Sequence, residues 1–163
     1  MKNLFGYTLE QLTDELVSLG QSKFRAKQLF TWIYQKNVLD FDQMTDISLS
    51  FREVLKENYC LTLPKIFTKQ VAKDGTIKLL LEMEDGSKVE TVLMRYNYGN
   101  AICVSSQVGC NMCCAFCASG LLKKERNLTS AEIMGEVLVM NTLLKEENEN
   151  VTHVVVMGTG EPF

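Results

Sequence analysis

Three cysteines in one short loop are spaced so that their thiolates could hold an inorganic cluster. Cys110, Cys114 and Cys117 form the pattern C-x3-C-x2-C within the run C-N-M-C-C-A-F-C. The loop follows a short apolar strand, so three thiolates can converge from a single segment. A [4Fe-4S] cubane held by three cysteines keeps one iron without a protein ligand, and that iron is open to a substrate or a cofactor.

On the residues alone, two other interpretations of these cysteines remain open. Structural zinc takes four protein ligands, and the fourth would have to be Cys113, Cys103, Cys60 or His153, none of which stands at a familiar zinc offset. Free cysteines are also commonly buried as small apolar side chains. Because five of the six cysteines lie between Cys103 and Cys117, metal or redox chemistry is favoured over a disulfide scaffold.

The first two thirds of the chain predict a small module of helices and antiparallel strands. In residues 1–60, apolar residues recur at every third or fourth position after Thr8, Ser22 and Ser48, which predicts three short amphipathic helices. In residues 61–100 the period changes to two, and two Asp-Gly pairs punctuate it. That pattern predicts an antiparallel β-meander.

Residues 101–163 predict the first βαβ unit of an α/β domain. An apolar strand at 101–105 precedes the cysteine loop, Thr129 and Glu132 form a capping box that starts a helix, and 151–157 is an almost uninterrupted apolar run. Such a run is typical of a parallel strand buried on both faces. One unit does not complete a sheet, so we expect the chain to be truncated within this second domain.

Composition excludes several classes of protein. The 163 residues are 46% hydrophobic with two prolines, which predicts a folded chain. No apolar run is long enough for a membrane span and no signal peptide is present, so we expect a cytoplasmic protein without a membrane partner. A net charge of -3 excludes an overall polycationic surface, so any RNA contact must be local.

Arg25 and Lys27, near Trp32 and Tyr34, are candidates for a local RNA contact, although the aromatic rings also suit a core.

Longer stretches around the cysteine loop resemble a known family. The strings are A-I-C-V-S-S-Q-V-G-C-N-M-C-C-A-F-C-A-S-G, R-N-L-T-S-A-E-I and V-V-V-M-G-T-G-E-P. These strings resemble segments of the radical S-adenosylmethionine (SAM) enzymes. Among those enzymes, they resemble the RlmN group of adenosine C2 methyltransferases. The resemblance implies a partial (β/α) barrel, truncated here after its first βαβ unit. It also implies methylation of C2 of adenosine in 23S ribosomal RNA and in transfer RNA.

The same resemblance implies which residues bind the cofactors. Cys110, Cys114 and Cys117 would hold a [4Fe-4S] cluster whose open iron binds S-adenosylmethionine. Gly160 and Glu161 would receive the methionine end of that cofactor. Backbone freedom at glycine and the acceptor oxygens of a carboxylate suit this role, although a lone G-x-G is also an ordinary strand-to-loop turn.

Two residues ahead of the loop would be catalytic by the same resemblance. Glu90 in V-E-T-V would be the base that removes the C2 proton, and Cys103 would be the resolving cysteine that forms a disulfide with a second, methyl-carrying cysteine. On the residues alone, Glu90 is a solvated strand glutamate and Cys103 a buried, inert thiol. The second cysteine has no counterpart here, so we expect the chain alone to be inactive. Cys60 and Cys113 match no functional position.

The implied partners are ribosomal RNA, transfer RNA and an external electron donor such as flavodoxin. Methylation at adenosine C8 is an alternative within the same superfamily. A zinc-bearing RNA-binding module without catalysis is an alternative outside it, as is a cluster used only for electron transfer, for which four cysteine ligands would be expected.

Overall fold

The computed structural model describes all 163 residues, which fold into two compact units, Met1–Thr62 and Leu63–Phe163. None of the helices is both long enough and apolar enough to cross a bilayer. The second unit contains the cysteine loop.

The first unit is helical and has a two-stranded parallel ribbon, as β1 pairs with β2. Its elements are β1 (Lys2–Asn3), α1 (Leu9–Ser18), α2 (Lys23–Phe30), α3 (Leu49–Asn58) and β2 (Tyr59–Cys60). The three predicted helices are therefore present. Thr8 and Gln11 form a reciprocal capping box at the start of α1, and α2 continues into a π-helical turn at Thr31–Gln35. Fully buried leucines such as Leu16 and Leu29 form the core of this unit.

The second unit is built on a mixed five-stranded sheet in the order β3-β4-β5-β6-β9. Its elements are β3 (Lys65–Val71), β4 (Ile77–Glu82), β5 (Lys88–Tyr96), β6 (Gly99–Cys103), β7 (Gln107–Val108), β8 (Arg126–Asn127), α4 (Ser130–Leu144) and β9 (Val151–Val155). Neighbours from β3 to β6 are antiparallel, and β6 pairs with β9 in parallel. Because β5 and β6 are hydrogen-bonded, the predicted segments 61–100 and 101–163 share one sheet and one core.

The helix α4 follows the cysteine loop and covers one face of this sheet. The predicted capping box is present, since Thr129 and Glu132 cap each other's backbone N–H groups. The buried side of the helix includes Gly135 and Glu136 as well as apolar residues such as Met140 and Leu144. A helix that is apolar on most sides suits a position against a sheet.

The parallel strand β9 differs from the expectation of burial on both faces. It lies at the edge of the sheet, where His153 is exposed and half of the Val154 surface is open to solvent. Within the described residues no strand pairs with its outer edge. The apolar run therefore has the pattern of a central strand and the surroundings of an edge strand.

A test of the packing of α4 concerns Gly135. A Cβ atom at this position would lie 2.6 Å from Cδ of Pro64, so the helix approaches the start of the sheet closely. Alanine favours a helix over glycine by about 1 kcal/mol, yet we expect Gly135→Ala to lower stability by about 1–3 kcal/mol through overpacking. Urea unfolding followed by circular dichroism measures this change. In a Pro64→Ala background the loss should shrink; an equal loss in both backgrounds would contradict the close contact.

Candidate functional site

The segment Gly158–Glu161 leaves β9 but stays hydrogen-bonded to the chain that follows β6. The Gly158 N–H donates to the Val104 carbonyl at 2.9 Å, and the Ser106 N–H donates to the Thr159 carbonyl at 2.9 Å. The parallel pairing of the two strands thus continues past their carboxyl ends. In α/β proteins ligands bind at this end of a parallel sheet.

Two glycines allow this close approach. A Cβ at Gly158 would lie 2.7 Å from Oγ of Ser105, and a Cβ at Gly160 would lie 2.7 Å from both Ser106 Oγ and Gln107 Cβ. Gly160 also has a φ of +114°, which side chains other than glycine rarely adopt. The G-T-G-E string therefore needs its glycines for packing and for backbone conformation.

Gln107 joins this segment to the base of the cysteine loop. Its Oε1 accepts from the Glu161 N–H at 3.1 Å, and its Nε2 donates to the Glu161 carbonyl and to Oδ1 of Asn127, each at 3.0 Å. The side chain is 4% exposed, so water competes little for these bonds. One amide therefore fixes the backbone position of Glu161.

The cysteine loop begins and ends at the paired strands β7 and β8. The Cys110 N–H donates to the Leu122 carbonyl at 2.9 Å. Gly109 has a φ of +72°, and a Cβ there would lie 2.2 Å from the Lys123 carbonyl oxygen, so the loop closes against its own first residues. Cys113 is left-handed, with a φ of +50°, and the chain turns sharply between Cys113 and the next cysteine.

The three predicted ligands are unequally placed. Cys110 is buried, whereas Cys114 and Cys117 are exposed and line a cavity of about 420 Å³ within the loop. The N–H and hydroxyl of Ser119 lower the pKa of Cys117, which favours the thiolate that a metal binds. The three thiols do not converge on one point, and all six cysteines are free, with no disulfide.

Arg126 ties the far end of the loop to two other elements. Its guanidinium bonds Oδ2 of Asp85 at 2.7 Å, in the turn between β4 and β5, and both carboxylate oxygens of Glu132 in α4. The hydrogen bond from Arg126 holds the pKa of Asp85 well below its usual range. Burial alone would raise the pKa of Glu132, but Arg126 and Thr129 outweigh it and lower that pKa.

Glu90 and Cys103 occupy one face of the sheet. Val92 is the register partner of Cys103, and Glu90 lies two residues before Val92, so all three side chains point to the same side. Diagonal neighbours of this kind have Cα atoms about 7–8 Å apart. The Glu90 carboxylate is half-exposed and pairs with Lys78 at 2.9 Å. Burial raises the pKa of the Cys103 thiol, partly offset by the N–H of Met157.

Two of the candidates for RNA contact in the first unit, Arg25 and Trp32, are engaged in local bonds. Arg25 donates to Oε1 of Gln28 at 2.8 Å and to the Asp46 carbonyl at 3.2 Å. The indole N–H of Trp32 donates to the Asp46 carboxylate, and Lys36 lies 3.3 Å from the centre of the Trp32 ring. Arg25 and Trp32 therefore help to hold the chain around Asp46.

Sequence reasoning missed four residues of this site, namely Ser105, Gln107, Arg126 and Glu136. Ser105 and Gln107 stand in the S-S-Q-V-G-C string and Arg126 in R-N-L-T, so motif context marks these three. Glu136 carries a signal of another kind, because a glutamate one turn before Met140 falls on the buried side of α4.

The chain is similar to known RNA methyltransferases. Residues 2–61 match the family model described as the ribosomal RNA large subunit methyltransferase N-terminal domain. A probable dual-specificity RNA methyltransferase RlmN from Spiroplasma citri is 53% identical over 163 residues, which cover 100% of this chain and 47% of the relative. Its counterpart from Staphylococcus saprophyticus is 49% identical, with 99% of this chain and 44% of the relative covered.

A solved structure is also similar. The crystal structure of a radical SAM methyltransferase from Sphaerobacter thermophilus matches with a TM-score of 0.90 and 37% identity, over 100% of this chain and 48% of that one. The chain thus spans about half the length of the relatives that it matches.

A test of the site geometry removes the Gln107 amide. We expect Gln107→Ala to speed hydrogen exchange of the Glu161 N–H by about five- to tenfold, because a hydrogen bond worth about 1–1.5 kcal/mol is lost. Exchange measured by NMR on the whole chain reports this. The control, Asn127→Ala, removes only the other partner of Gln107 and should have a smaller effect. An unchanged Glu161 N–H in Gln107→Ala would disprove the clamp.

Proposed function

Because the chain belongs to the RlmN family of radical SAM methyltransferases, we propose that it carries the cluster and cofactor site of an enzyme that methylates C2 of adenosine in 23S ribosomal RNA and in transfer RNA. One observation supports this most strongly. The Gly158–Glu161 segment is fixed beside the cysteine loop, at the carboxyl ends of β6 and β9. This is the place where an α/β sheet binds a small ligand.

The donor set fits a [4Fe-4S] cluster with one open iron. Cys110, Cys114 and Cys117 are thiols on one closed loop, and Cys114 and Cys117 line its cavity. Metal binding commonly completes the folding of its own ligands, so we expect the loop to draw the three sulfurs together on binding. Cys113 lines the same cavity, but it is adjacent to Cys114, and two adjacent cysteines cannot both bind one cluster without distorting the loop, so we assign Cys113 no ligand role.

S-adenosylmethionine would meet the segment that Gln107 holds. Gly160 brings the backbone close to the ligand, and the Glu161 carboxylate accepts from the ammonium of its methionine end. With the cluster, this cofactor supplies a carbon radical and the methyl group. An external electron donor, such as a flavodoxin, is then required.

Glu90 and Cys103 would act on the RNA base from their shared face of the sheet. The Glu90 carboxylate accepts the proton from C2, as a general base. Cys103 would attack the sulfur of a methyl-carrying cysteine. The disulfide bond would form as the bond from that sulfur to the base-linked carbon breaks, and the electron pair would pass to the carbon, which takes up a proton as the product leaves. In the chain described here Glu90 pairs with Lys78, and this ion pair must open for the carboxylate to reach a base.

The ligand assignment is tested by single cysteine substitutions. We expect Cys110→Ala, Cys114→Ala and Cys117→Ala each to lose the brown chromophore after anaerobic reconstitution. Each substitution removes one of the three protein ligands that hold a cluster with one open iron. Iron and sulfide analysis, with visible absorption, measures the loss.

The matched control is Cys113→Ala, which removes a thiol from the same loop and should keep the full iron content. Zinc in place of iron in the purified chain would favour the zinc-bearing RNA-binding module. Full iron in Cys114→Ala with loss in Cys113→Ala would reverse the assignment of these two neighbours.

The reaction is tested in a chimera in which this chain replaces the matching 163 residues of the Spiroplasma citri relative. We expect the chimera to form 2-methyladenosine in unmodified ribosomal RNA and transfer RNA, as detected by mass spectrometry. Glu90→Gln should lower the rate by at least about a hundredfold, because a general base contributes about 10²–10⁴.

Glu82→Gln is the matched control, since Glu82 is also paired with a lysine on the same sheet and should keep the activity. 8-Methyladenosine as the product would establish the C8 alternative. Full activity of Glu90→Gln would remove Glu90 from the reaction.

A further inference from the structure

A buried carboxyl group lies behind the strand that carries Cys103. Glu136, in α4, has no exposed surface. Its Oε2 accepts from the Ser105 N–H at 3.1 Å, and its Oε1 is buried without a hydrogen-bond partner. No ion pair joins this side chain. The mechanism proposed above makes no use of it.

The surroundings of Glu136 explain how such a group can be buried. The Thr91 hydroxyl faces the carboxyl group and itself donates to the Cys103 carbonyl at 2.8 Å. A hydroxyl that donates its one proton can still accept one. If Oε1 of Glu136 carries a proton, it can donate to Thr91, and the buried oxygen is then satisfied.

An ionised Glu136 would leave this cluster worse off. A carboxylate has no proton to give, so it would compete with the Cys103 carbonyl for the hydrogen of Thr91. Burying an unpaired charge is also costly. Burial raises the pKa of Glu136 to about 8 and outweighs the Ser105 N–H and the Thr91 hydroxyl, which each lower it; the result is well above the ordinary value for a glutamate.

We propose that Glu136 is a positioning residue that, as an uncharged carboxylic acid, holds the backbone from Cys103 to Ser105 by accepting from the Ser105 N–H and donating to the Thr91 hydroxyl. One arm ends on the Ser105 N–H, and the other reaches the Cys103 carbonyl through the Thr91 hydroxyl. The acid therefore links α4 to the end of β6. It accepts and donates hydrogen bonds as a neutral amide would, but it can donate only while it is protonated.

Ser105 makes the position of this backbone important for the site. Its hydroxyl donates to the Glu90 carbonyl at 2.7 Å and accepts from the Thr159 N–H at 3.0 Å. Ser105 thus joins the strand of the proposed base to the segment proposed to bind S-adenosylmethionine. Holding the Ser105 N–H from behind fixes all of these contacts at once. For this consequence the inference rests on the proposed function.

Few charged groups face Glu136. On its own helix, Glu132 lies one turn earlier and raises the pKa of Glu136 further, but Glu132 is paired with Arg126 of β8. From the sheet, the Cys103 thiol is the titratable neighbour, and a charge on Glu136 would raise the pKa of that thiol. Thr91 and Ser105 are uncharged. None of these groups is a cation that would bond the Glu136 carboxylate directly.

The positioning role is tested by two substitutions of similar size in the whole chain. Glu136→Gln keeps an acceptor and a donor and cannot ionise, whereas Glu136→Leu keeps only the volume. At pH 7 we expect hydrogen exchange of the Ser105 N–H, measured by NMR, to be within about twofold of wild type in Glu136→Gln. In Glu136→Leu it should be at least about tenfold faster, because a buried hydrogen bond is lost. Equal protection in wild type and Glu136→Leu would overturn the proposal.

The uncharged state is tested by the pH dependence of unfolding. The pKa of Glu136 is raised on folding from 4.5 to about 8, so its contribution to stability is full below about pH 4.5 and is lost as the pH rises through about 8. We expect the wild-type unfolding midpoint in urea to fall between pH 6 and pH 9 relative to that of Glu136→Gln, which lacks this titration. Parallel profiles of the two proteins would overturn the proposal.

Both readouts remain decisive if one variant fails. If Glu136→Leu does not fold, Thr91→Val tests the other arm of the clamp. This substitution in an otherwise wild-type chain should also speed exchange of the Ser105 N–H. Protection of that N–H equal to wild type would overturn the hydrogen bond from Glu136 to Thr91. Neither measurement needs a cluster, S-adenosylmethionine or RNA. Failure of the proposed function and failure of this inference can therefore be told apart.

Discussion

The parallel pairing of β6 with β9, continued past the ends of both strands, is the interaction on which the rest of the site depends. It brings the Gly158–Glu161 segment against residues 104–107, although more than 50 residues of chain separate the two. Backbone bonds of this kind set distances to a few tenths of an ångström. Small side chains at Gly158 and Gly160 are then required, since any Cβ would meet Ser105, Ser106 or Gln107 at 2.7 Å.

Side-chain hydrogen bonds connect the ends of these strands to the base of the cysteine loop. Gln107 joins Glu161 to β8, and Arg126 joins β8 to the Asp85 turn and to the first turn of α4. Both ends of the loop are therefore held by buried or charge-assisted bonds, which are stronger than neutral exposed ones. Between these ends the loop is exposed at Cys114 and Cys117, where a cluster would have to enter. Rigid ends and an open centre suit a segment that completes its folding around a metal.

The two faces of the sheet divide the chemistry. Glu90 and Cys103, which are proposed to act on the RNA base, lie on the face that α4 does not cover, whereas Glu136 and Thr91 lie in the buried layer beneath α4. Ser105 touches both layers, because its N–H meets Glu136 and its hydroxyl meets Glu90. Polar groups in the buried layer can therefore set the position of reactive groups on the open face without touching a substrate.

The sequence by itself determined the local elements and the candidate ligands. Capping at Thr8 and Thr129, the turns at the Asp-Gly pairs and the spacing of Cys110, Cys114 and Cys117 depend on neighbours within a few residues, so they could be predicted from the chain. Contacts between distant segments could not, because no local pattern encodes which strand pairs with which. Only the tertiary structure joined the meander and the βαβ unit in one sheet and buried Glu136 against Ser105. The role of that glutamate depends on the low polarity around it, which is a property of packed neighbours rather than of residue type.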